Sequence, residues 1–226
     1  MGSVMIAESI YTNSDNFTAF PEPGDVFASD FEKSVMLPLA MYRPERFNEE
    51  ILLATPFGDS EGLVGKEDLN EFIGEEWYSY SKVEDKWKLD CTPEDLSPFE
   101  YNFRGTKAET LKSYLETKKK LIEFGSLPKP SKCTSPGGNY PLFIPKEEIS
   151  SGSNWFASLS KRVPFRLLDQ TSEYSSKLAI FYDGSGNAYQ YLGYLYSDVY
   201  TRCLNPQLHF LYCAPTRRVL VGLEFY

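Results

Sequence analysis

From residue 178 onward the chain repeats one pattern: a short run of aromatic and aliphatic residues, a cluster of turn residues, then another such run. Leu178–Tyr182 and Ala188–Leu192 flank Asp183-Gly184-Ser185-Gly186-Asn187, which puts glycines where a hairpin needs positive φ. Leu208–Tyr212 and Arg218–Phe225 flank Cys213-Ala214-Pro215-Thr216 in the same way, and Tyr194, Tyr196 and Tyr200 fill the stretch between. Aromatic rings suit half-buried strands, where cross-strand pairs add roughly 0.2–1 kcal/mol each. This end of the chain is therefore expected to form a mainly antiparallel sheet.

The first half reads differently. Residues 36–44, bounded by Pro38 and Pro44, are extended, and Ile51–Thr55 is a buried strand ended by Pro56 and Gly58. Leu69, Phe72, Ile73, Trp77 and Tyr80 recur at helical spacing, which predicts a helix from about Glu67 to Tyr80 with Glu67, Asp68, Glu71 and Glu75 on its outer face. Thr106-Lys107-Ala108-Glu109 is a capping-box pattern. It opens a second helix, with Ala108, Leu111, Leu115 and Ile122 on one stripe, Tyr114 and Leu121 beside it, and Gly125 as the left-handed cap. Trp87, Tyr101 and Phe103 anchor the charged stretch before it, and Ser153 caps a short helix through Ser160.

Pro128, Pro130, Pro136, Gly137, Gly138 and Pro141 make residues 126–141 a linker. The expectation is a single α+β domain over residues 1–226. Its lobes are 5–125, acidic with two main helices, and 142–226, rich in β structure; the helix-containing half packs on the sheet. Its 42% apolar and 24% charged residues exclude a disordered chain. No apolar run reaches the length of a membrane span, and the first residues lack the basic leader and apolar core of a signal peptide.

Charge is unevenly spread. Residues 1–100 hold 22 acidic and 7 basic side chains, whereas residues 101–226 hold 10 and 16. An acidic half repels phosphate backbones and attracts basic surfaces, which argues against nucleic acid and for a basic protein partner. The four cysteines, Cys91, Cys133, Cys203 and Cys213, have no metal-knuckle spacing and read as reduced thiols of a cytoplasmic protein. A Cys203–Cys213 bridge stays open, since a hairpin could bring the two together.

His209 is the only histidine. Any Ser-His-Asp or Cys-His site would have to use it, yet it sits inside a strand pattern and no nucleophile elbow exists. A structural role is the expectation. Asp183-x-Ser185-x-Asn187 has the alternating oxygens of a calcium loop, but the twelfth position is Tyr194. Nothing matches a dinucleotide or P-loop motif. No catalytic residue, metal or cofactor is assigned.

The strand run Leu178-Ala179-Ile180-Phe181-Tyr182-Asp183 with Gly186-Asn187 and Tyr191-Leu192-Gly193 resembles the repeating strands of YwqG-like proteins. So do the closing runs Leu208–Tyr212, Arg218–Val221 and Glu224-Phe225. Some members of this and similar families are toxin-immunity proteins, and that resemblance implies the same role here. The expected function is a non-enzymatic, acidic binding protein that blocks a basic partner, a secreted effector toxin. Candidate contacts are Asp59, Glu61, Glu71, Glu75 and Tyr78. Two alternatives are a scaffold domain and a carboxylate hydrolase built on acids such as Glu49-Glu50, Glu84-Asp85 or Glu147-Glu148.

Overall fold

The computed structural model describes residues 8–57, 71–74, 76–96, 106–128, 138–171, 176–204 and 206–225. Its strands are β1 (Phe17–Ala19), β2 (Met36–Tyr42), β3 (Ile51–Pro56), β4 (Trp77–Val83), β5 (Lys86–Leu89), β6 (Ile144–Pro145), β7 (Ile149–Ser150), β8 (Phe165–Thr171), β9 (Lys177–Phe181), β10 (Gln190–Tyr196), β11 (Gln207–Cys213) and β12 (Arg218–Glu224). Its helices are α1 (Pro23–Val26), α2 (Asp30–Val35), α3 (Thr106–Phe124), α4 (Asn154–Leu159) and α5 (Ser197–Tyr200). The chain is α+β, with every strand pair antiparallel.

A six-stranded sheet in the order β5-β4-β12-β11-β10-β6 forms the centre, and it takes strands from both sides of residues 126–141. Both of its faces are covered, and the period of two along each strand decides what goes where. Tyr78, Tyr80, Leu208, Phe210, Tyr212, Val219, Val221 and Leu223 join the larger core with β1-β2-β3 and α3. Trp77, Leu211, Cys213 and Leu220 point the other way, into a second core with α4 and β9. Gly193 marks an irregularity in β10 that lets Tyr191 face one core while Leu192 and Leu195 face the other. It holds φ +128°, and a Cβ there would lie 2.2 Å from the Ile144 carbonyl oxygen, so only glycine fits.

Tyrosine hydroxyls tie the layers together. β3 is the outer strand of the sheet β1-β2-β3, so its outward backbone groups need partners. Tyr78 donates to the Ala54 carbonyl at 2.6 Å and Tyr80 to the Leu52 carbonyl at 2.7 Å, while the Ala54 N–H donates to the Tyr80 oxygen at 3.2 Å. Tyr114 of α3 donates to the Pro38 carbonyl at 2.5 Å, beside the irregularity in β2, and Tyr200 to Leu142 at 3.0 Å. Burial raises the pKa of Tyr78, Tyr80 and Tyr200 well above the ordinary phenol value.

Several sequence expectations hold. β2, β3, α4 and the β11–β12 hairpin fall where the pattern puts them, and Gly125 follows α3 with φ +70°, but Ser153 stands at the start of α4 without a side-chain capping bond, its hydroxyl turned to the Ser150 carbonyl. The capping contact of Thr106 lies outside the described side chains.

Two readings of this part of the chain need correction. The helix expected from Glu67 to Tyr80 is not formed over its second half: Trp77–Val83 is strand β4. Its first residues, 67–70, lie outside the described set. Trp77-Tyr78-Ser79-Tyr80-Ser81 is rich in strand formers with period two, and the helical spacing is a coincidence of aromatic positions across a turn. That turn closes with the Gly74 N–H donating to the Trp77 carbonyl at 2.9 Å, and a Cβ on Gly74 would lie 2.4 Å from the Trp77 ring. The hairpin expected around residues 183–187 closes as a turn, with a Tyr182–Ala188 bridge, but β9 and β10 then part into different sheets. Cys203 and Cys213 are both free thiols, in line with the reading of reduced cysteines, and the bridge left open between them is not formed.

Replacing Tyr80 with Phe keeps the ring and leaves the Leu52 carbonyl and the Ala54 N–H without that hydroxyl. Tyr80→Phe should lower unfolding free energy by about 1–3 kcal/mol, whereas a change at exposed Val83, such as Val83→Thr, should stay within about 0.5 kcal/mol. Urea denaturation of the two variants checks this.

Candidate interaction surface

The side of α3 turned toward solvent is the most distinctive surface among the described residues. Nineteen residues long, α3 is held by its inner side. Tyr114 and Leu121 are buried, and Tyr114 packs its ring 4.9 Å from Phe20. The Thr201 hydroxyl donates to the Thr110 carbonyl at 3.2 Å, and the Arg202 N–H to the Ser113 hydroxyl at 2.9 Å. Lys118 pairs with Glu22 at 2.6 Å, and Lys107 donates to the Ser34 carbonyl.

This docking reverses the expected orientation. Leu111, Leu115 and Ile122, expected to form the core stripe, face outward; Leu115 is 53% and Ile122 74% exposed. The residues read as lying beside the stripe, Tyr114 and Leu121, carry the packing instead. The reason is the hydroxyl of Tyr114, which reaches a buried carbonyl that no leucine could satisfy. Ala108, Leu111, Lys112, Leu115, Glu116 and Lys119 consequently line a shallow, open groove.

The acidic patch expected to contact a partner is only partly visible. Asp59, Glu61 and Glu75 lie outside the described residues. Glu71 is half-buried, with its carboxylate over Gly184 in the β9–β10 turn, where a Cβ would meet its Oε1 at 3.1 Å. Tyr78 is fully buried and spends its hydroxyl on Ala54, so it is not part of a surface patch. The turn beneath Glu71 is built by Asp183. Burial raises its pKa, but donation from the Asn187 side chain and from the N–H groups of Asn187 and Ser185, with the Cys213 thiol, outweighs this and holds the carboxyl below the usual range.

Three of the six adjacent acids considered for hydrolysis have partners of their own. Glu49 accepts from the Tyr212 hydroxyl and lies 3.4 Å from Arg217; Glu50 pairs with Arg43 at 3.4 Å and Glu147 with Arg46 at 3.3 Å. Among the described residues no group of three His, Cys, Asp or Glu could hold a metal ion, and no helix is long and apolar enough to cross a membrane.

His209 is buried in the second face of the central sheet, stacked on Trp155 at 4.6 Å. Its Nε2 lies 3.1 Å from the Glu224 carboxylate and its Nδ1 2.7 Å from the Tyr191 hydroxyl. A carboxylate only accepts, so Nε2 carries the proton, and in the neutral ring Nδ1 accepts from Tyr191. Burial lowers the pKa of the imidazole below its ordinary value, against the opposing pull of Glu224. The unfolded chain therefore takes up the proton first. Stability from this group is present above the unfolded pKa of 6.5 and is lost as pH falls below it. Urea midpoints of the wild-type chain should drop between pH 7.5 and pH 5, and His209→Gln should flatten that part of the curve; an unchanged slope in the variant contradicts the assignment.

Comparison of the chain with protein-family models, curated proteins and solved structures finds no match.

Proposed function

We propose that this chain is a protein-binding domain that works by covering a partner's surface, most concretely an immunity protein that neutralises a cognate toxin in the bacterial cytoplasm. The observation that carries the reading is the outer side of α3. A helix fixed on its inner side by tyrosine and threonine hydrogen bonds presents Leu111, Leu115 and Ile122 to solvent, and an apolar ridge with a polar rim is the anatomy of a protein interface. The net charge of −9 supports a basic partner by steering encounter. The strand resemblance to YwqG-like proteins supports the immunity role.

The test is co-expression with the product of the reading frame that neighbours this chain's own, assayed as a toxin. The parent chain should restore growth of the poisoned cells. Leu111→Asp with Leu115→Asp should remain folded and weaken the complex by about 2 kcal/mol, roughly thirtyfold. Full rescue by the double variant would remove α3 from the interface, and no rescue by the parent would end the immunity reading. Glu71→Lys should slow association at low salt and leave the rate less sensitive to salt, as stopped-flow mixing can measure.

A further inference from the structure

A second surface, remote in sequence from α3, has a more specific demand. β8 is the outer strand of the sheet β7-β9-β8, and no strand among the described residues pairs with its far side. All of its residues are exposed except Leu168, which is half-buried.

The backbone direction follows from the register. The Tyr182 N–H donates to the Pro164 carbonyl at 2.8 Å, and Phe165, Arg166 and Leu167 stand opposite Phe181, Ile180 and Ala179. Hydrogen-bonded and non-bonded pairs alternate in an antiparallel ladder. Arg166 therefore bonds toward β9, while Phe165 and Leu167 direct their N–H and C=O groups away from the sheet. Pro164 bounds this edge on one side, and the irregularity after Leu167 bounds it on the other. The side chains of the same two residues extend the second core to its rim. Phe165 packs 5.3 Å from Phe156 and 5.9 Å from Phe181, yet remains 40% exposed, and Leu167 remains 41% exposed.

Charge selects the occupant. Among the described residues from 160 to 181, Lys161, Arg162, Arg166 and Lys177 are exposed and basic, and Asp169 is the one acid. None of the four basic side chains is in an ion pair among the described residues. A basic edge on a chain of net charge −9 stands out from its surroundings. We infer that β8 receives a short, extended, acidic segment of a partner protein as an added strand. Its backbone bonds Phe165 and Leu167, its apolar side chains cover their rings and methyls, and its carboxylates meet Arg166 and Arg162. The inference does not rest on α3, and either surface can fail without the other.

The experiment titrates the isotope-labelled full chain with two capped hexapeptides, one alternating Glu with Val and one alternating Lys with Val. The acidic peptide should bind saturably, shift the Phe165 and Leu167 amides and slow their hydrogen exchange. Leu167→Pro removes an edge-facing N–H without touching a bond to β9, and should weaken binding about tenfold or more. Arg166→Glu leaves the backbone intact and should weaken it by about three- to tenfold. Equal binding of the lysine peptide, shifts confined to other surfaces, or affinity unchanged in Arg166→Glu would overturn the inference. So would a dimer in sedimentation that Leu167→Pro dissolves, since the occupant would then be a second copy, or preferential binding of a single-stranded oligonucleotide to the same edge.

Discussion

The packing of this molecule depends on phenol oxygens placed where backbone groups would otherwise be buried unpaired. The outer strand β3 of the three-stranded sheet is buried along its whole length, and a buried strand edge costs free energy for each unmatched N–H or C=O. Tyr78 and Tyr80 meet that demand at Ala54 and Leu52, and Tyr114 meets it at Pro38. Because each bond joins a side chain of one layer to the backbone of another, the layers are fixed in register as well as in separation. The orientation of α3 follows, and with it the exposure of Leu111, Leu115 and Ile122.

This arrangement also explains why the aromatic content misleads when read as surface. Sixteen tyrosines in 226 residues suggest interface hot spots. Most of the named ones are instead structural: Tyr78, Tyr80, Tyr114, Tyr200 and Tyr212 are buried with hydroxyls bonded. The apolar side chains exposed among the described residues include aliphatic ones on α3 and Phe165 and Leu167 on the outer edge of β8, and the aromatic count indicates neither surface.

Local signals were readable and nonlocal ones were not. The β11–β12 hairpin is marked by its turn and flanking runs, and the end of α3 by Gly125. Ser29-Asp30-Phe31-Glu32 is a capping box displayed in the sequence itself; in the structure Ser29 and Glu32 bond reciprocally at the start of α2, and Glu32 also accepts from the Leu89 N–H. The spacing of Phe72, Ile73, Trp77 and Tyr80 fits a helix as well as it fits a turn followed by β4, and only the pairing of β4 with β12 decides between them. Which side of α3 is buried turns on a carbonyl in β2, about 76 residues away in sequence. Of the acidic candidates, Glu71 was found at a real feature, the Asp183 turn, for a reason that no charge count contains.

The order of strands in the central sheet has a consequence for synthesis. Among the described strands, β4 and β5 come early in the chain and are joined to the rest of that sheet only through β12, which follows every other strand of the sheet in chain order. Until residues 218–224 are in place, Trp77 and Tyr78 lack the strand they pair with and β4 has only β5 beside it, so the first half of the chain holds a two-stranded fragment of the sheet with one edge unmet.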